Sequence, residues 1–145
     1  MLPVRIRASR AADRPELLRM AKLLWPDHPE AEVEQDVDSW DPSNVLVAER
    51  GPRLRGFIQL VERAYAEECR TSPVGYVEAW FVDEDLRRQG VGRALMSAAL
   101  DWCRSRGYAE LASDSRLGNE TSIRAHLALG YELVERIVCF RKDVR

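Results

Sequence analysis

Hydrophobic and polar positions change period several times along this chain, and the changes outline its elements. Val4, Ile6 and Ala8 alternate with Arg5 and Arg7, the period-two pattern of a half-buried strand. Asp13 and Glu16 are spaced as a capping box, and Leu17, Leu18, Met20, Ala21 and Leu24 then recur at helical spacing. Pro26 and Pro29 break that helix, and a short polar helix follows over 30–37. Strands over 44–49 and 54–61 flank Gly51-Pro52, the turn of a hairpin. Another strand covers 75–82. A helix over 91–105 turns Ala94, Leu95, Ala98, Ala99 and Trp102 inward and stops at Gly107. A short strand at 111–113, a helix at 121–129 ending on Gly130, and a closing strand at 131–141 complete the pattern. Strands and helices interleave without repeat or linker, which predicts one mixed α/β domain over 1–145.

Bulk properties narrow the class. At 145 residues, folding buries roughly 68–70% of the unfolded chain's surface, enough for a self-sufficient core. A formal net charge of −2 gives a nucleic-acid partner no electrostatic support. Cys69, Cys103 and Cys139 are odd in number and form no Cys-x-x-Cys pair, so neither zinc nor a disulfide framework is expected. Reduced thiols, the lack of a leader-like apolar core at the N-terminus and the lack of a spanning run predict a cytoplasmic protein away from membranes.

The most informative stretch is Arg87-Arg88-Gln89-Gly90-Val91-Gly92-Arg93, between the strand at 75–82 and the helix at 91–105. Two glycines let the backbone approach a bulky ligand, and the free N–H groups of the helix's first turn favour an anion. A phosphate or pyrophosphate cradle is the expectation. No Gly-Lys-Ser/Thr follows, and the third glycine of a dinucleotide fingerprint is missing.

What does fit is Arg/Gln-x-x-Gly-x-Gly/Ala, and here the chain resembles the GNAT N-acetyltransferases. A second motif, Asn119-x-x-Ser122-x-x-x-His126-x-x-x-Gly130-Tyr131, is similar to that family's Asn-x-x-Ala-x-x-x-Tyr-x-x-x-Gly-Phe. The segments 24–29, 72–82, 112–115 and 135–142 resemble one branch, the aminoglycoside 6′-N-acetyltransferases. The resemblance implies a single-domain α/β GNAT fold with a mixed, mostly antiparallel central sheet, splayed strands and about four flanking helices. It also implies acetyl-CoA as acetyl donor, no metal, a cationic amine acceptor, direct attack in a ternary complex and a homodimer. Two alternatives stand beside this: the same chemistry on a polyamine, peptide N-terminus or amino sugar, and a non-catalytic CoA-binding regulatory module.

Residue roles follow from the resemblance. Trp80, Phe81 and Val82 would pair with the pantetheine arm through exposed backbone groups. The amides of Gln89, Gly90, Val91, Gly92, Arg93 and Ala94 would hold the pyrophosphate, with Arg87, Arg88 and Arg93 adding charge or remaining solvated. Asn119 would reach the pantetheine end. Glu78 and Asp114 are the carboxylates that would accept the amine's proton and attract a polycation; an exposed strand residue and a turn residue are their plainer readings. His126 stands where much of the family has the tyrosine that protonates the thiolate, so it is either that acid or a structural histidine. Trp25, Tyr65 and Glu135 are further acceptor-site candidates, and Asp27, Glu67 and Glu68 would extend an acidic rim or simply be solvated.

Overall fold

The computed structural model describes residues 3–145; Met1 and Leu2, which belong to the leader reading, lie outside them. Nine elements follow in order: β1 (Arg5–Ala8), α1 (Arg14–Leu24), α2 (Glu30–Ser39), β2 (Val45–Arg50), β3 (Arg53–Arg63), β4 (Val74–Val82), α3 (Val91–Arg106), β5 (Leu111–Ser113) and α4 (Glu120–Ala128). The strands form one sheet in the order β1-β2-β3-β4-β5, antiparallel except for the parallel pair β4–β5. The α/β class, the mixed sheet and four helices agree with the sequence reading.

Strand periodicity divides the interior into two cores. Val47 and Phe57 face α1 and α2, joining Leu17, Met20, Ala21, Val33 and Val37. Their neighbours Ala48 and Ile58 face α3, joining Val91, Leu95, Ala99 and Trp102. Gly56 is required where the layers are closest, because a Cβ there would lie 2.8 Å from the Phe81 carbonyl oxygen and 3.2 Å from Leu95 Cδ1.

Two expectations at the N-terminal end change. Arg7 is not a solvated strand residue. Its guanidinium donates to both Asp13 oxygens (2.8 and 2.9 Å) and to Glu49 Oε2 (2.9 and 3.0 Å), with only 13% of the side chain exposed. Asp13, so occupied, also accepts from the Arg10 N–H at 2.8 Å and makes no side-chain cap to α1. Glu16 turns away to Arg19 and Arg53, so the expected Asp13/Glu16 capping box is absent.

The largest departure is the closing strand. Tyr131 turns inward, its hydroxyl donating to Met96 Sδ at 3.3 Å, but 131–145 pairs with no strand among the described residues. Leu133, Val134, Ile137, Val138 and Phe140 are exposed. Apolar sequence supplies only half of what a strand needs; the other half is an edge within reach.

The Arg7 guanidinium holds the Asp13 carboxyl below the usual carboxylate range, ahead of an opposing desolvation effect. A depressed folded value means that the stabilisation is complete above about pH 4 and is lost as pH falls through the folded value. Asp13→Asn should therefore lower stability by about 1–3 kcal/mol at pH 7. Urea midpoints of the two proteins should converge as the pH is brought down toward 3.

Candidate active site at the opening of the sheet

β3 and β4 pair in register up to Gln59↔Ala79 and again from Leu60↔Val77, which leaves Glu78 as one unpaired residue, a β-bulge. β4 and β5 pair only through Gly75↔Leu111, Tyr76↔Ala112 and Val77↔Ser113. From Glu78 onward β4 therefore keeps β3 on one side and has a free edge on the other. The bulge also re-aims a side chain: Glu78 and Trp80 are two residues apart and would share a face in a regular strand, yet Trp80 packs toward α3 while Glu78 lines a cleft on the α1–α2 face.

The chain reaches α3 through the basic glycine turn. Gly90 caps the helix with φ +87°, and Arg88 also has positive φ at +62°. The first intrahelical bond runs from the Ala94 N–H to the Gly90 carbonyl, so the amides of Val91, Gly92 and Arg93 have no helical partner. A Cβ on Gly92 would meet the Trp80 ring at 3.3 Å. Trp80 Nε1–H is buried and finds no acceptor among the described residues. An orphan donor of this kind costs about 1–3 kcal/mol, which an acceptor on a ligand would relieve. Amides, glycine approach and orphan donor together suit an anionic, amide-bearing ligand such as CoA.

Some residues of the turn are already committed. Arg87 Nε donates to the Val82 carbonyl at 2.9 Å, and its guanidinium lies 5.6 Å from the centre of the Phe81 ring. Gln89 donates its side-chain amide to the Asp85 carbonyl. Both brace the turn. Arg88 and Arg93 are exposed, and Phe81 is buried toward α1.

The cleft on the other face encloses about 410 Å³ and is lined by Trp25, Asp36, Trp40, Asp41 and Glu78. Trp25 and Trp40 meet edge-on at 6.3 Å, and Trp40 continues onto Phe57 at 5.6 Å. Asp41 accepts from the Ser43 N–H at 2.9 Å and from its hydroxyl, bonds that keep the carboxyl below its usual range. Glu78 Oε1 accepts from Arg63 Nε (3.1 Å) and Nη2 (2.5 Å). The Arg63 guanidinium lies 3.6 Å over the Tyr76 ring, and the buried Tyr76 hydroxyl donates to Asp114 Oδ2 at 2.6 Å. Burial, and then the Asp114 carboxylate, push that hydroxyl's pKa upward. Glu78 and Asp114 are thus joined through one aromatic ring.

His126 closes the open end of the sheet from α4. Its Nδ1 lies 2.7 Å from the Ser122 carbonyl, which can only accept, so Nδ1 carries the hydrogen. In the neutral ring Nε2 then accepts from the Ser113 hydroxyl at 2.7 Å. The ring packs edge-on between Trp80 and Tyr131, 5.2 Å from each. Asn119 uses its Oδ1 to cap α4 at the Ser122 N–H, 3.1 Å away.

Of the residues expected at the acceptor side, Trp25 and Glu78 share the cleft wall, and Asp114 joins through Tyr76. Tyr65 is 69% exposed on the loop after β3, while Glu135 lies exposed on the extension; neither lines the cleft. Asp27, Glu67 and Glu68 do not line it either. Asp36, Trp40, Asp41, Arg63 and Ser113 were not singled out by the sequence. Only Trp40, an aromatic bracketed by Asp36 and Asp41 at the end of a polar helix, gave a readable signal. Among the described residues no group of three or more His, Cys, Asp and Glu could hold a metal ion.

The pattern described as the Acetyltransferase (GNAT) family matches residues 15–131. The chain belongs to this family. Among GNAT relatives, the aminoglycoside N(6′)-acetyltransferase type 1 of Klebsiella aerogenes is 41% identical, over 96% of both chains. That of Stenotrophomonas maltophilia is 35% identical, covering 94% of this chain and 91% of its own. A solved AAC(6′)-Iy, in complex with the bisubstrate analogue CoA-S-monomethyl-acetylneamine, superposes with a TM-score of 0.91 at 29% identity, over 98% of this chain and 99% of that one. AAC(6′)-Ih from Acinetobacter baumannii gives 0.88 at 27% identity, over 99% and 100%. The GNAT assignment accounts for the sheet that opens after Val77.

His126→Phe keeps a ring between Trp80 and Tyr131 but removes both hydrogen bonds of the imidazole. A loss of about 1–3 kcal/mol in urea unfolding is expected.

Proposed function

We propose that this GNAT protein transfers acetyl from acetyl-CoA to the 6′-amine of aminoglycosides. The observation that carries the reading is the placement of Glu78. Its bulge turns the carboxylate into an acidic, tryptophan-walled cleft at the residue where β4 gains a free edge. The relatives named for aminoglycoside N(6′)-acetylation support the acceptor, and the neighbour holding a CoA-linked aminoglycoside supports both halves.

On this reading the pyrophosphate sits on the amides at the start of α3, and the pantetheine arm runs along the free edge of β4. The Val82 carbonyl already accepts from Arg87, so edge contacts fall mainly to Glu78, Ala79, Trp80 and Phe81. The neutral amine nitrogen bonds to the acetyl carbonyl carbon, and the C–S bond breaks. The amine's proton passes to Glu78, directly or through water, while Asp114 adds negative charge that attracts the polycation. A backbone N–H near Val82 is the candidate oxyanion donor. The leaving thiolate takes a proton from the His126 side. Imidazolium would donate from Nε2, the nitrogen 2.7 Å from the Ser113 hydroxyl. Asn119, besides capping α4, keeps its amide nitrogen for the pantetheine end.

The reading extends to a cytoplasmic homodimer. A second copy would cover the exposed apolar side chains of 131–145 and supply the edge they lack. It would also give Glu135 a cleft to reach, since that residue lies outside the cleft of its own chain.

Release of free CoA thiol, followed across kanamycin, tobramycin, a kanamycin with hydroxyl in place of the 6′-amine, spermidine and a short peptide, tests the function. Release is expected with the amine-bearing drugs alone. Release only with spermidine or peptide would reassign the acceptor. CoA binding without release would favour a regulatory module. Glu78→Gln should lower kcat by about 10²–10⁴-fold with CoA affinity retained. Light scattering should return the mass of a dimer, and Ile137→Asp with Phe140→Asp should return that of a monomer.

A further inference from the structure

We infer that Gln59 is a specificity-determining residue of the acceptor cleft: its side-chain amide receives a hydroxyl group on the sugar ring that carries the acetylated amine. The inference rests on the amine-acetylation reading above and adds a neutral contact to the charged ones.

Gln59 lines the cleft with Trp25, Trp40 and Glu78, yet only 7% of the residue is exposed. Strand alternation sets its aim: Phe57, two residues earlier on β3, faces the same α1–α2 side and packs on the Trp40 ring. The backbone is held on both sides, by Val45 of β2 and by Ala79 of β4. Ala79 directly follows Glu78, so Gln59 stands on the last rung before the bulge.

Its amide is the exception among the buried polar side chains. Ser9, Asp13 and Asp83 each find partners within the fold: the Pro42 carbonyl, Arg7 and Arg19. The Gln59 amide finds none among the described residues, where a buried polar group is normally paired. Nor is it sealed off, because the unpartnered side-chain atoms closed to solvent are Trp80 Nε1 and Trp102 Nε1. The amide therefore opens on the cleft.

The chemistry of the amide selects its ligand. Oε1 accepts and Nε2 donates, and a hydroxyl can answer both. An ammonium has only hydrogens to give, and Glu78, Asp36 and Asp41 already line the cleft as its acceptors. Water can serve the amide while the cleft is open. An acceptor that fills the cleft displaces that water, and one without the hydroxyl leaves Gln59 unpaired. The rung shared with the residue after Glu78 places the hydroxyl on the ring that bears the reacting amine.

Kanamycin B and dibekacin test this, because both carry the 6′-amine and differ only in the 3′- and 4′-hydroxyls of that ring. Gln59→Met keeps the length of the side chain and removes its amide; Gln59→Leu replaces it should Gln59→Met lose the wild-type melting transition. In the wild-type protein kcat/KM is expected to be about three- to tenfold higher for kanamycin B than for dibekacin. In Gln59→Met the ratio should approach one, with the loss falling on kanamycin B. Any difference in amine basicity between the drugs is the same for both proteins and cancels when their ratios are compared. A wild-type ratio of one overturns the inference, as does a ratio that survives in a folded amide-free variant. If the wild-type protein binds both drugs but acetylates neither, the acetylation reading falls alone, and the same ratio taken from calorimetric Kd values decides the role of Gln59. Failure to bind either drug overturns both.

Discussion

One residue more in β4 than β3 can pair is the constraint on which the site depends. The bulge at Glu78 and the end of β4–β5 pairing at Val77 are adjacent along the strand. Together they convert a continuous sheet into a wedge with a free backbone edge. Everything assigned to chemistry is arranged around that wedge. Glu78 faces one side, and the Trp80 indole and His126 face the other. The first turn of α3 stands at its outer end. A fully paired sheet of the same strands would have satisfied more backbone groups and left no place for an extended ligand.

The charged groups show how a mildly acidic protein carries carboxylates near its interior. Asp13, Asp83 and Glu78 are each matched by arginine: Arg7, the pair Arg19 and Arg55, and Arg63. In the first two clusters the carboxylate side chains are only 10% exposed; one ties β1 to the turn before α1, and the other ties α1 to the β3–β4 end of the sheet. The third is more open, and its Glu78 lines the cleft. The same pairing chemistry thus braces the fold where its carboxylate is buried and remains open to solvent beside the cleft.

Much of the fold was legible because its signals are local. The 91–105 periodicity, the Gly51-Pro52 turn and the strand–glycine turn–helix sequence at 74–92 each depend on neighbours in the chain. What the sequence concealed depends on partners far away. The aim of Glu78 follows from a register slip against β3, which no pattern within β4 announces. Arg7 looked like the polar half of an alternating strand because Glu49, 42 residues on, was not yet beside it. Arg63, a lone arginine at a strand end, drew no notice for the same reason. The apolar run 133–140 was read as a strand although strand formation requires an edge as well as a sequence. Trp25, Glu78 and Asp114 were singled out through the family resemblance and His126 through its place in a spaced motif, whereas the wall formed by Asp36, Trp40 and Asp41 came from the packing of α2.

The division of the interior into two cores has a consequence for how such a protein can change. The tryptophan-walled cleft rests on the core shared by α1, α2 and one face of the sheet. The glycine turn, Trp80 and His126 rest on the core beneath α3, on the opposite face. Substitutions that reshape the first core can alter which molecules the cleft admits while leaving the second, with its backbone amides and helix start, mechanically undisturbed. The sheet acts as a partition between the two halves, and the bulge at Glu78 lies on the strand they share.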